Sequence, residues 1–324
     1  MKKVSVVMCT YNGARYIREQ IESLLRQTYP LHEIIVQDDG STDGTCDIVS
    51  EYAAHNPVIR LIHNDGAHGI NNNFFSALHK AEGEFIAIAD QDDIWEPEKI
   101  EWQMQAIGTH LLCSGQSKPF SSDGFPVIWD SRKPNYHILR LCYLGELAGH
   151  TMLVNRRILD FLGEKPKYKY MYDWQLQMIA AANNDIVYIN KVLVNFRRHA
   201  DASTATKPTS SKFGLKKELS TMLMLIVHRR ALKQHIIERF AAIEEMLSAL
   251  PFNTADKKTA IEMAHYQQKK GQFNMIKFAF FCVKHRNHLF HTEEKRHLVA
   301  IARALYYPVY CGYYYRGILK DNQK

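Results

Sequence analysis

The sequence predicts an α/β fold: a mixed, mostly parallel sheet flanked by helices, with a helical C-terminal region. Three observations support it. Up to residue 89, short apolar runs of strand length alternate with stretches whose apolar residues recur at helical spacing. The two most acidic loops, 38–43 and 90–93, directly follow two of those runs, where parallel sheets collect ligand-binding groups. Beyond residue 207 the strand-length runs give way to helical spacing and a basic composition.

In chain order, Val4–Met8 forms a buried strand, Cys9-Thr10-Tyr11-Asn12-Gly13 a polar loop, and Ile17, Ile21, Leu24 and Leu25 mark a helix that Pro30 closes. The next strand, Glu33–Gln37, ends in Asp38-Asp39-Gly40-Ser41-Thr42-Asp43-Gly44, and Ile48, Val49 and Tyr52 mark a second helix. Val58–Ile62 is a third strand, and Phe74, Phe75 and Leu78 lie on a third helix leading into a Phe85–Ala89 strand. This rhythm implies βαβ units with right-handed crossovers. Pro97 suits the first turn of a helix restarting at Glu96. Residues 116–126 are expected to be an irregular loop and Glu146–Asn155 a strand in which Gly149-His150 lets a ligand approach closely. A helix opens at Tyr172 and continues through Ala182, and Asp185–His199 is a long strand. Residues 203–211 are a linker, and the chain beyond is helical from Leu215 to Leu250 and again from Thr254.

Composition bounds the function classes. The 324-residue chain, 46% hydrophobic and 23% charged, is globular and long enough for a full core. Six scattered cysteines without CxxC spacing favour free thiols in a reducing cytosol over a disulfide framework or zinc site. The apolar run after Met1-Lys2-Lys3 is too short for a signal peptide, and no apolar segment reaches the ~18 residues of a spanning helix. Charge is uneven: residues 207–324 hold 21 Lys and Arg against 9 Asp and Glu, a net +12, which leaves residues 1–206 at −5. That contrast supports a division into domains 1–206 and 207–324, with an anionic partner for the second.

The stretch with most chemistry is Asp90-Gln91-Asp92-Asp93-Ile94-Trp95. Three carboxylates at one strand end repel unless a cation or hydrogen-bond donors meet them, and a hard divalent ion, Mg²⁺ or Mn²⁺, is the natural partner. The alternative is a turn in which an Asp caps the next helix.

Several motifs then stand in order: residues 5–13, residues 36–43, Gly69 with Asn73-Phe74, residues 90–95, Tyr172-Asp173-Trp174 and Phe196-Arg197-Arg198-His199. The series resembles the family-2 glycosyltransferases over residues 3–205, and the Gln91–Trp95 form resembles their rhamnosyltransferase-like branch. The resemblance implies a GT-A fold and transfer of a sugar from a nucleotide-diphosphate-sugar to a hydroxyl of a glycan or lipid-linked acceptor. It also implies inversion at the anomeric carbon, a divalent metal held by a DxD motif, and a place in cell-surface polysaccharide biosynthesis. By the same resemblance Thr10, Tyr11, Asp39, Asn73 and Asp90 bind the nucleotide-sugar, Asp92 and His199 meet the metal, and Asp173 is the catalytic base. Asp173 serves equally well as a helix cap and His199 as a structural histidine. Asp38 and Asp43 form turns, and Asp93 hydrogen-bonds backbone. The sequence departs from the family pattern at Cys9, where many relatives have Pro, and at Asp201-Ala202-Ser203.

Two other function classes compete. A nucleotidyltransferase normally shows a basic, Gly-rich phosphate loop, and Cys9–Gly13 has no basic residue. A non-catalytic carbohydrate- or membrane-binding module with a relic nucleotide pocket has no need of both Asp92 and Asp173. The basic region shows no nucleic-acid recognition motif. Its charge and the aromatic Tyr306–Tyr315 stretch instead predict a cytoplasmic protein resting on the inner face of a membrane.

Overall fold

The computed structural model describes residues 1–166, 171–200, 229–290 and 297–310. The chain divides into two compact units. The first comprises Met1–Lys133, Leu147–Ala180 and Asp185–Pro208; the second comprises Pro134–Glu146, Ala181–Asn184 and Thr209–Lys324.

The first unit holds an eight-stranded sheet. Its strands are β1 (Val4–Thr10), β2 (Glu33–Asp38), β3 (Ile59–His63), β4 (Phe85–Ala89), β5 (Ile94–Trp95), β6 (Leu112–Phe120), β7 (Leu153–Asn155) and β8 (Ile186–Arg197). They lie in the order β3-β2-β1-β4-β7-β6-β8-β5. The first four are mutually parallel, as is β6 with β8, whereas β4–β7, β6–β7 and β5–β8 are antiparallel. Helices α1 (Ile17–Leu25), α2 (Thr45–His55), α3 (Ile70–Lys80) and α4 (Lys99–Ile107) each follow a strand, and α6 (Leu159–Leu162) and α7 (Tyr172–Ala182) both lie between β7 and β8; the short α5 (Ile138–Leu141) belongs to the second unit. Both β2 and β4 are buried along their whole length, as expected of parallel strands covered on both faces. Val6, Met8, Ile34, Val36, Ala87 and Ala89 meet Ile17, Ile21 and Leu24 of α1 in the main core. Chain order runs outward from β1 through β2 to β3 on one side and restarts at β4 on the other. The crevice between the carboxyl ends of β1 and β4 is therefore a topological switch point.

The alternating pattern of the first ninety residues agrees with these elements to within a few residues, but three later expectations are corrected. Pro97 precedes α4, whose N-cap is Glu98, because Ile94-Trp95 first pairs with Asn195 and Val194 of β8. Residues 116–120 are not irregular: they extend β6 along β8, with register shifts around Gln116. Pro119 is tolerated because β6 pairs with β7 only at Leu112 and Cys113, leaving that edge open farther on. The expected strand over Glu146–Asn155 is a 3-10 turn at Gly149–Thr151 followed by three residues of β7. The linker expected at 203–211, the helix start at Leu215 and residues 311–315 of the aromatic stretch lie outside the described residues.

The second unit is helical where described: α5, α8 (Arg229–Ala249), α9 (Ala255–Gln268), α10 (Gln272–Lys284), α11 (Arg286–Leu289) and α12 (His297–Tyr310). Thr254 caps α9 by accepting the Lys257 amide at 3.1 Å. Phe240, Ile243 and Leu247 of α8 are buried, as are Ala260, Met263 and Ala264 of α9, with which α8 packs. Gln267 Nε2 donates to the Tyr143 hydroxyl at 2.6 Å inside this layer.

Candidate active site

The loops after β1 and β4 are cross-linked before any ligand arrives. The Tyr11 amide donates to Gln91 Oε1 at 2.9 Å, and Gln91 Nε2 donates back to the Tyr11 carbonyl at 3.1 Å. Asn12 adopts a left-handed backbone (φ 49°), which Asn tolerates; its Oδ1 accepts the Thr42 amide at 2.9 Å. Asp38 is a turn-former: its oxygens accept from the Gly40 and Ser41 amides and from the Ser41 and Thr10 hydroxyls. Asp43 likewise holds the Ala14 and Thr45 amides.

Antiparallel pairing brings distant segments to the acidic turn. Because β7 runs against β4, the turn before β7 lies at the carboxyl end of β4. It delivers His150, whose Nδ1 is 3.1 Å from Asp90 Oδ2 and 3.4 Å from Asp93 Oδ2, while Nε2 meets the Ser117 hydroxyl at 2.8 Å. Because β8 runs against β5, its end returns past residues 92 and 93. The Arg197 amide donates to Asp93 Oδ1 at 2.9 Å, so Asp93 does bond backbone, across the sheet rather than within its own turn. Arg197 Nε donates to the Asp92 carbonyl at 2.8 Å, and Nη2 to Glu19 Oε2 at 3.0 Å. Two residues on, His199 Nε2 meets Asp92 Oδ2 at 2.9 Å.

All eight residues singled out in the sequence, Thr10, Tyr11, Asp39, Asn73, Asp90, Asp92, Asp173 and His199, line one cleft of about 940 Å³ at the switch point. Their engagement differs. Asp39 binds the loop before α3, accepting from Asn64, His68 and the Gly69 amide. Asn73 is buried with both ends of its amide on Gln37, at 2.7 and 3.1 Å. Thr10 is buried against Asp38, whereas Tyr11 is 59% exposed. Asp173 lies in the first turn of α7, and its Oδ1 accepts the Trp174 amide at 2.7 Å. Gly149 backs it: a Cβ there would lie 2.8 Å from the Tyr172 hydroxyl and 3.3 Å from Asp173 Cβ. Tyr172 is fixed by stacking on Phe74, centroids 4.1 Å apart.

The charges are under tension. Burial and the neighbouring Asp90 push Asp92 above the usual carboxylate range, while His199 opposes them. Burial pushes the fully enclosed Asp93 up against the pull of His150. Burial alone would lower His150, but Asp93 and Asp90 hold it above its ordinary value. Burial, with help from Asp90, lifts Asp173 to about 6 against the Trp174 amide. His150 is the cleft residue that sequence reasoning underrated. Its signal was Gly149-His150 ahead of a strand, but only the antiparallel register of β7 shows which strand end it meets.

Residues 5–162 match the Glycosyl transferase family 2 model. Asp173 and His199 lie beyond that match and join the site by geometry. Rv1520 of Mycobacterium tuberculosis, an uncharacterized protein, is 29% identical over 61% of this chain and 59% of its own length. TuaG of Bacillus subtilis, provisionally named a teichuronic acid biosynthesis glycosyltransferase, is 38% identical over 32% of this chain and 40% of its own. The chain thus spans roughly two fifths to three fifths of these relatives' length. Among solved structures, Staphylococcus aureus TarS 1-349 in complex with UDP-GlcNAc superposes with a TM-score of 0.58 at 19% identity, covering 97% of this chain and 92% of that one. The likeness establishes the fold: a GT-A mixed α/β arrangement.

Proposed function

We propose that the cleft transfers a glycosyl group from a nucleotide-diphosphate-sugar to an acceptor hydroxyl in one displacement, inverting the anomeric carbon. The observation behind this reading is the meeting of Asp90, Asp92, His199 and Asp173 in one cleft at the switch point of a family-2 match. In this reading Thr10, Tyr11 and Asp39 receive the nucleoside at the ends of β1 and β2. Arg15 and Arg198 in the cleft lining add positive charge for the diphosphate. TarS, of similar fold, is complexed with a UDP-sugar, which favours a donor of that chemical class here.

The residues present fit a divalent metal. Two carboxylates that repel each other face the cleft beside an imidazole, a donor set suited to Mg²⁺ or Mn²⁺. His199 Nδ1 is buried without a hydrogen-bond partner among the described residues. Asp90, Asp92 and His199 would hold the ion. When bound, it supplies Lewis-acid stabilisation of the charge developing on the leaving diphosphate.

The Asp173 carboxylate accepts the proton of the acceptor hydroxyl as that oxygen attacks the anomeric carbon. The bond from that carbon to the diphosphate oxygen breaks, and its electron pair leaves with the diphosphate. A base at about 6 is ionised at neutral pH yet basic enough to take part. Trp174 holds one carboxylate oxygen through its amide and so fixes the direction of the other.

The motif at Gln91–Trp95 favours a hexosyl or rhamnosyl donor, and the relation to TuaG favours a cell-surface polysaccharide or its lipid-linked precursor as acceptor. Purified protein is to be screened for nucleotide release across nucleotide-sugars with Mn²⁺. Release from one donor class, lost in Asp92→Asn, is expected; no release from any donor would reject the proposal.

A further inference from the structure

Helix α10 in the second unit turns bulky apolar side chains to both sides. Phe278, Phe281 and Cys282 are buried, with Phe278 and Phe281 against Tyr266 at ring separations of 6.0 and 5.5 Å. The opposite side presents Phe273, Ile276 and Phe280, which are 72%, 53% and 66% exposed. Their spacing, i, i+3 and i+7, puts them on one face. Lys277 and Lys284 fall on the same arc, and Lys277 Nζ sits 4.5 Å from the Phe273 ring centroid. Helix α12 packs on α10 and adds exposed Leu298 and Leu305. The charge there has one sign: residues 269–290 carry Lys269, Lys270, Lys277, Lys284 and Arg286, and no Asp or Glu.

An amphipathic helix with a second apolar face, and lysines able to lift their charge away from it, suits the plane of a lipid headgroup layer. We propose that the α10–α12 face docks on an anionic bilayer surface, with Phe273, Ile276 and Phe280 inserted at the boundary between headgroups and acyl chains and the lysines on lipid phosphates. The contact is peripheral, since among the described residues no helix is long and apolar enough to cross a membrane. Charge selects the bilayer over a second copy of the chain, because two such faces would bring like charges together. The surface centres on α10, ahead of the Tyr306–Tyr315 stretch expected from the sequence, and it does not depend on the glycosyltransfer reading.

The test is flotation of the full chain with phosphatidylcholine vesicles, with or without about one third phosphatidylglycerol, at low and high salt. The parent is expected to float with the anionic vesicles at low salt and to be released by high salt or neutral lipid. Phe273→Ser with Ile276→Ser and Phe280→Ser changes only exposed positions, so it is expected to keep the parent's melting temperature and lose vesicle binding about tenfold or more. Replacing the four lysines by Gln is expected to abolish the preference for anionic lipid. A parent that stays soluble throughout, or a triple variant that floats like the parent, would overturn the proposal. Concentration-dependent dimerisation abolished by the triple variant, without vesicle binding, would overturn it in favour of a second copy.

Discussion

His199 Nε2 lies 2.9 Å from Asp92 Oδ2 across 107 positions of sequence. The antiparallel pairing of β5 with β8 makes the contact, and Arg197 locks it by grasping the Asp92 carbonyl. If this pair holds a cation, a chelator is expected to abolish transfer and Mn²⁺ or Mg²⁺ to restore it. Asp92→Asn is expected to fold normally and be nearly inactive. Full transfer in chelated enzyme would leave the pair as a structural hydrogen bond.

Asp173→Asn separates chemistry from helix capping. Asn keeps an oxygen for the Trp174 amide but cannot take a proton. Unchanged melting temperature and donor affinity are expected, with turnover reduced by ~10²–10⁴-fold. In the parent, turnover is expected to rise with pH through about 6, as the raised carboxyl loses its proton, and the variant's residual rate should lack that limb. Normal turnover per folded molecule would return Asp173 to a purely structural role.

His150→Gln probes the group behind the acidic turn. Losing an imidazole that meets both Asp90 and Asp93 is expected to weaken Mn²⁺ binding by about 10–100-fold, read by titration calorimetry on folded protein. A variant that melts earlier but binds Mn²⁺ like the parent would make His150 a packing residue.

Lys99 gives a stability test away from the cleft. It is fully buried over the Trp95 ring, its Nζ donates to Gln103 at 2.9 Å, and burial lowers it to about 7. A folded value below the unfolded one means that the unfolded chain binds more protons between the two, so stability rises with pH across that window. Lys99→Met is expected to raise the melting temperature by about 2–4 °C per kcal/mol gained. The gain should be full below about 7 and fade toward the unfolded lysine value of 10.5. A gain independent of pH would mean that packing, not the buried charge, sets the effect.

The parallel half of the sheet was legible because each βα unit is local: strand, loop and helix follow within a few dozen residues, and apolar spacing reports each one. The eight candidate residues were picked out through their motifs and the family resemblance, and the fold gathers all of them around one cleft. What escaped depends on pairing between distant strands. Residues 116–120 look irregular because Ser, Lys and Pro show no alternation, yet β8 holds them in register. His150 looks ordinary until β7 is known to run against β4. Asn73 lines the cleft as expected, but its amide is tied to Gln37, an attachment no local pattern announces.

Gly149 constrains how this wall of the cleft can change over time. Even one methyl at that position meets the Tyr172 hydroxyl, and Tyr172 cannot retreat while Phe74 is stacked on it. A lineage drifting toward a differently shaped pocket cannot begin at residue 149, because its first step collides. It begins instead at residue 172, where loss of the hydroxyl removes the 2.8 Å contact, or at residue 74, where a smaller side chain frees Tyr172. Change at residue 149 thus waits on an earlier change at Tyr172 or Phe74, and Phe74, which carries no charge, becomes one permissive site for later changes beside Asp173.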